Sequence, residues 1–154
     1  MHKLLRKYTM GFEGWALVLF AAVMLPNILW SFLPAPNDIL RAESVTPLTD
    51  GIGSFCQMLM VFCLVGIRRT DRKPVKPNGM ICGCIGCVLV YWAAWGCYYA
   101  GIIHPFVLLC MTLGPCAAFI LFSLERRNGI ALVPAAIFTL CHLYFCLCNF
   151  LMLS

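Results

Sequence analysis

The longest uncharged run decides what this chain can be. From Met80 to Leu124, 45 residues pass without an aspartate, glutamate, lysine or arginine. As a single helix this run would extend about 67 Å, more than twice the roughly 30 Å hydrocarbon core of a bilayer. As the interior of a soluble domain it would need a polar exterior, and the rest of the chain cannot supply one. Of the 154 residues, 62% are hydrophobic and 11% are charged, against about 25% charged in a soluble domain. Lipid is the solvent in which such a composition folds, and the run must then turn back once. The best break is Gly101-Ile-Ile-His104-Pro105, where glycine and proline end helices and His104 is the strongly polar side chain at hand.

The remaining apolar runs complete the pattern. The chain reads as all-α: one integral membrane bundle over residues 1–154, with five transmembrane helices at about Gly14–Leu33, Gly51–Ile67, Met80–Ile103, Pro105–Leu124 and Ile130–Leu153. Lys3, Arg6 and Lys7 before the first run also describe a signal peptide. The run is too long for that and no small-residue cleavage site follows, so it is read as a span. Pro26-Asn27 lies inside it, and a proline there frees a backbone carbonyl that another group must satisfy. Pro34 to Asp50 is a polar loop, with room for a short turn capped by Asn37. Thr46-Pro47 reads as an N-cap followed by proline in the first helical position. RRTDRKPVKPN, from Arg68 to Asn78, and Glu125 to Gly129 are the other polar breaks.

Charge then orients the bundle. With five spans, the N-terminus, the Arg68–Asn78 loop and the Glu125–Gly129 loop share one side and hold ten of the eleven lysines and arginines, leaving only Arg41 opposite. The positive-inside rule places the N-terminus in the cytoplasm and the C-terminus outside. The formal net charge of +5 is therefore a topology signal with an affinity for anionic head groups, and implies no nucleic acid.

Chemistry is sparse. All eleven cysteines lie in apolar runs, where a thiol behaves as a small hydrophobe, so no disulfide framework is expected. Cys82, Cys84 and Cys87 have spacings that suit a soft metal or a redox pair, but a zinc site needs a second pair on the same side. The competing reading is packing, as for Gly79, Gly83 and Gly86 on the same helix. Tyr91, Trp92, Trp95, Tyr98 and Tyr99 crowd the outer half of the third span as an interfacial belt, packing surface or pocket wall. No catalytic triad, zinc-protease motif, phosphate loop or dinucleotide fingerprint occurs, and neither metal nor cofactor is expected.

The polar residues inside the spans share a depth. Counted along helices of alternating direction, Asn27, Gln57, Thr112, His142 and Asn149 fall at or beyond mid-membrane on the outer side. On the fifth helix Thr139, His142, Cys146 and Asn149 also share a face. Intramembrane polar groups turn inward, so this layer is either a set of interhelical hydrogen bonds or the lining of an outer cavity walled by Trp92 or Trp95. The candidate ligand-binding residues are thus Asn27, Gln57, Trp92, Trp95, Thr112, His142 and Asn149.

Through LPNILWSFLPAPNDIL and HLYFCLCNFL the chain resembles small uncharacterised multi-span membrane proteins of Gram-positive bacteria, a similarity that runs along most of its length and implies no particular activity. The translocator-protein family has five helices and a similar length, but its tryptophan- and proline-rich signature after the first helix is not found here. Two classes of function remain. One is a non-enzymatic protein that binds a lipid or apolar ligand, or serves as a subunit beside a membrane-protein partner or a second copy. The other is a homodimeric carrier or a lipid-modifying enzyme using His142 with Asp38 and Asp50. Reporter fusions at the two termini are expected on opposite sides of the membrane. Both reporters in the cytoplasm would remove a span and overturn the assignment.

Overall fold

A computed structural model describes residues 7–71 and 74–152. In chain order they form β1 (Tyr8–Met10), α1 (Gly14–Phe32), a 3-10 turn (Ile39–Arg41), α2 (Pro47–Gly66), β2 (Ile67–Arg69), α3 (Gly79–Tyr99), α4 (Pro105–Glu125) and α5 (Gly129–Cys146). A π turn over Leu147–Leu151 continues α5. Five helices are long and apolar enough to cross a membrane, the last counted to Leu151. Lys3, Arg6, Arg72, Lys73 and Leu153, used above for charge and span ends, lie outside the described residues.

Local sequence explains where the helices start. Asn78 accepts hydrogen bonds from the amides of Met80 and Ile81, and Asn128 from that of Ala131. His104 caps α4 through Nδ1, ahead of Pro105 in the first turn. Thr46 precedes α2 as expected, but its hydroxyl donates to Asp50 Oδ1 at 3.0 Å instead of capping the backbone.

The third span is shorter than its apolar run. Helix α3 stops at Tyr99 because Gly101 takes φ +81°. Its amide bonds back to Tyr98 O and that of Ile102 to Cys97 O, the paired closure that ends a helix on a left-handed residue. The turn after α4 repeats this with Arg127 at φ 49°, through Arg127 N to Leu124 O and Asn128 N to Ser123 O. The second helix begins at Pro47 as expected, ahead of its apolar part, and the last residue of the expected span, Ile67, belongs to β2.

The helices stand in a ring in the order α1, α2, α5, α4, α3, with α4 the most enclosed. A Cβ on Gly114 of α4 would lie 2.9 Å from that of Tyr91, which is how closely α3 and α4 approach. Gly53 lets α2 approach Cys141 of α5 in the same way. The stripe expected at Gly79, Gly83 and Gly86 is largely unused: only Gly83 has a neighbour, Leu121, within reach of an added Cβ. The eleven cysteines are free thiols.

One end of the ring is tied shut by backbone and ion pairs. Strand β1 runs antiparallel to β2, pairing Tyr8 with Arg69 and Met10 with Ile67, a ribbon the sequence reading did not anticipate. The Gly11 and Glu13 amides donate to Gly66 O and Val65 O at 2.9 and 2.8 Å. Asn128 Nδ2 donates to Cys63 O and Ile67 O. Beneath the ribbon, Arg126 Nη2 meets Glu13 Oε2 at 2.9 Å, with both side chains buried. Lys7, Arg68, Arg69, Lys76, Arg126 and Arg127 all belong to this basic end.

Removing one member of a buried ion pair leaves the other charge desolvated, whereas replacing both with apolar groups need not. Arg126→Met alone is therefore expected to lower stability by about 3–5 kcal/mol, and Glu13→Leu with Arg126→Met to recover most of the loss. Unfolding of the detergent-solubilised variants checks this. Equal losses in the single and double variants would reduce the pair to a bystander.

Candidate functional site

The way α1 is attached creates the site. Its start is bonded to the end of α2 at the basic ribbon, and its far half is bonded to α3. Pro26 has no amide hydrogen, so the carbonyl of Ala22 loses its helical donor. Trp92 Nε1 takes its place at 2.9 Å. At the next residue, the Tyr91 hydroxyl donates to Val23 O at 3.1 Å and accepts from Asn27 Nδ2 at 2.8 Å. Tyr99 reaches Leu33 O at 2.7 Å.

The loop after α1 is fastened to the same side. Asp38, at the N-cap of the 3-10 turn, accepts from Trp30 Nε1, Tyr98 Oη and Arg41 Nε at 2.8, 2.8 and 2.9 Å. Burial pushes its carboxyl up, but these hydrogen bonds outweigh burial and hold it below its ordinary value. The Arg41 guanidinium lies over the Trp30 ring, 4.7 Å from its centroid, and donates to Trp30 O. The expected cap, Asn37, instead takes a left-handed φ of 52°.

Inside the ring, beside these bonds, a space stays open. A cavity of about 490 Å³ is lined by residues of all five helices. Its α3 and α4 walls are buried, with Tyr91, Trp95, Leu108, Met111, Thr112 and Phe119. Its α2 wall is the accessible one: Ser54 is exposed, and Thr49, Asp50 and Gln57 are half-buried. On the α5 wall His142 is stacked between Phe138 and Phe145, with centroids 5.0 and 6.2 Å away.

Five of the seven residues expected from the sequence line this one cavity: Asn27, Gln57, Trp95, Thr112 and His142. Thr112 is already satisfied by Leu108 O at 2.8 Å. The other four retain hydrogen-bonding capacity among the described residues. Asn27 uses its amide nitrogen and keeps its oxygen, and no hydrogen bond engages the side chain of Gln57 or His142. Trp95 Nε1, on a residue only 5% exposed, finds no acceptor at bonding geometry. Groups left this way inside an apolar wall are what a ligand's polar atoms complete.

Trp92 and Asn149 do not line the cavity. Trp92 is 41% exposed and turned to the Ala22 carbonyl. Asn149 Oδ1 accepts from Val45 N at 2.8 Å, and its Nδ2 donates to Thr46 Oγ1 and Phe145 O. The physical reason is the π turn over Leu147–Leu151, which breaks the 3.6-residue spacing that would keep Asn149 on the face of His142 and Cys146. Tyr91, named among the aromatic residues that could wall a pocket, and Asp50, named as an acid beside His142, also line the cavity, as does Trp30, which had not been singled out. Tyr91 and Trp95, four apart on α3, carried the signal; Trp30 depends on where α1 is held, and Asp50 on the first turn of α2.

No group of three or more potential metal ligands occurs among the described residues. Cys82 is exposed, and Cys84 points its thiol at Ala118 O. The five spans define a multi-pass membrane protein with an internal chamber. No protein-family model, curated protein or solved structure matches the chain.

If Trp92 stands in for the donor that Pro26 lacks, the two positions are coupled. Trp92→Phe is expected to lower stability by about 1 kcal/mol in the native background. With Pro26→Ala, which restores an amide hydrogen to Ala22 O, the same change should cost clearly less. A double-mutant cycle on thermal unfolding measures the difference, and additive losses would show that Trp92 serves some other contact.

Proposed function

We propose that this is a small, non-enzymatic polytopic membrane protein that binds a lipid or another apolar ligand in the chamber. The observation that carries the reading is the combination of an apolar wall with the unengaged polar groups of Asn27, Gln57, Trp95 and His142 in one cavity of about 490 Å³. That volume suits a drug-sized molecule or part of a lipid chain, and the sparse polar groups would fix its orientation. A bundle holding itself together with these residues would use their donors and acceptors on one another.

The gathering of the basic loops at the ribbon supports a cytoplasmic ribbon and a chamber in the outer half of the membrane. The accessible α2 wall, with exposed Ser54, supports entry along α2. Partners in this reading are membrane lipids, with a second copy or another membrane protein as the recipient of the ligand.

Extraction in mild detergent followed by native mass spectrometry is expected to find a lipid or apolar molecule retained by the wild-type protein. His142→Ala and Gln57→Leu should reduce its occupancy about three- to tenfold while changing the unfolding temperature little. Ser54→Trp, which fills the accessible wall, should displace it. Retention unchanged by all three substitutions, or no retained molecule in the wild type, would overturn the proposal.

A further inference from the structure

The charge and the aromatic surface of the chamber narrow its ligand. Asp50 is the carboxylate of the lining, and neither lysine nor arginine is among the lining residues. Its Oδ1 accepts from Thr46, and among the described residues His142 of the α5 wall is the basic side chain that senses its charge, with no lysine or arginine hydrogen-bonded or ion-paired to it. Asp50 stands in the first turn of α2, where a carboxylate is also favoured by the helix dipole, so charge alone decides little.

The walls are the second, independent observation. Trp30 and Trp95 stand with ring centroids 6.3 Å apart, and Tyr91 meets Trp95 edge-on at 6.4 Å. The α5 wall adds the Phe138, His142 and Phe145 stack. Aromatic faces carry negative potential and attract cations, most strongly where water is excluded. Trp30 shows this at the rim, where it already holds the Arg41 guanidinium. Arg41 is in turn paired with Asp38, so its charge is locally balanced.

We infer that the chamber selects lipophilic organic cations: an ammonium or phosphonium centre set among the aromatic rings near Asp50, with its apolar substituents against the α4 and α5 walls. The inference rests on the chamber being a binding site. It adds that an anion of the same shape is rejected, because the chamber offers it an opposing carboxylate and the negative faces of the rings. A neutral molecule would gain only the apolar contact.

Tetraphenylphosphonium, its isosteric anion tetraphenylborate and neutral triphenylmethane separate these cases. Each is measured against the full chain in phosphatidylcholine nanodiscs by equilibrium dialysis, after subtraction of uptake by empty nanodiscs. Saturable binding of the cation, at least about tenfold tighter than that of the anion, is expected. Asp50→Asn should weaken the cation about tenfold and leave triphenylmethane unchanged, and Asp50→Glu should restore it. Should Asp50→Asn fail to fold, Trp30→Leu is the second variant, with the same expected loss for the cation alone.

Equal binding of the three probes, or a cation affinity indifferent to both substitutions, would overturn the selectivity while leaving the chamber a binding site. Saturable binding of none of them would overturn the selectivity too. The retained-lipid measurement then decides separately whether the chamber binds anything.

Discussion

In hydrocarbon a backbone carbonyl without a donor has no water to turn to, and the placement of α1 follows from that. Pro26 removes the helical donor of Ala22 O, and Trp92 of α3 supplies the replacement at 2.9 Å. Tyr91 and Asn27 bind the adjacent Val23 carbonyl. A proline that would merely kink a soluble helix thus commits the far half of α1 to α3. The near half is committed elsewhere, since the Gly11 and Glu13 amides are bonded to the end of α2. The helix is thus bonded to α2 at its start and to α3 along its far half.

The two ends of the bundle are therefore different in kind. At the basic end, the strand pair, Asn128 and the buried Glu13–Arg126 pair tie α1, α2, α4 and α5 together. Breaking any of these ties strands polar groups, which is costly away from water. At the other end the fastenings run around the rim, through Asp38 to α3 and through Asn149 to the start of α2. The middle is walled by two aromatic groups, Trp30, Tyr91 and Trp95 on one side and the Phe138, His142 and Phe145 stack on the other. A chamber results whose floor is fixed and whose accessible side is α2.

Much of this was legible in the residues. Length and charge marked the five spans, the proline announced a freed carbonyl, and residue counting put Asn27, Gln57, Thr112 and His142 in one layer. The misplacements have local causes. Trp92 was assigned to the cavity wall because its depth is right, but depth does not specify direction, and the Ala22 carbonyl draws it away. Asn149 was placed on the His142 face by regular helical spacing, which the π turn interrupts. The glycines of α3 were read as the packing stripe, whereas Gly114 on α4 is the one that faces its neighbour's backbone.

What the sequence alone determined is everything that depends on solvent. A chain so poor in charge needs lipid around it, lipid admits only helices or a closed barrel, and apolar runs of about 20 residues choose helices and set their number. Those constraints act on each segment separately, so they can be read segment by segment. Which helix leans on which, and hence whether the polar layer closes into hydrogen bonds or opens into a chamber, was decided only in the tertiary structure. The reason is that the deciding contacts join residues far apart in the chain: Ala22 with Trp92, Glu13 with Arg126 and Asp38 with Tyr98. Neither residue of such a pair carries a local mark of its partner.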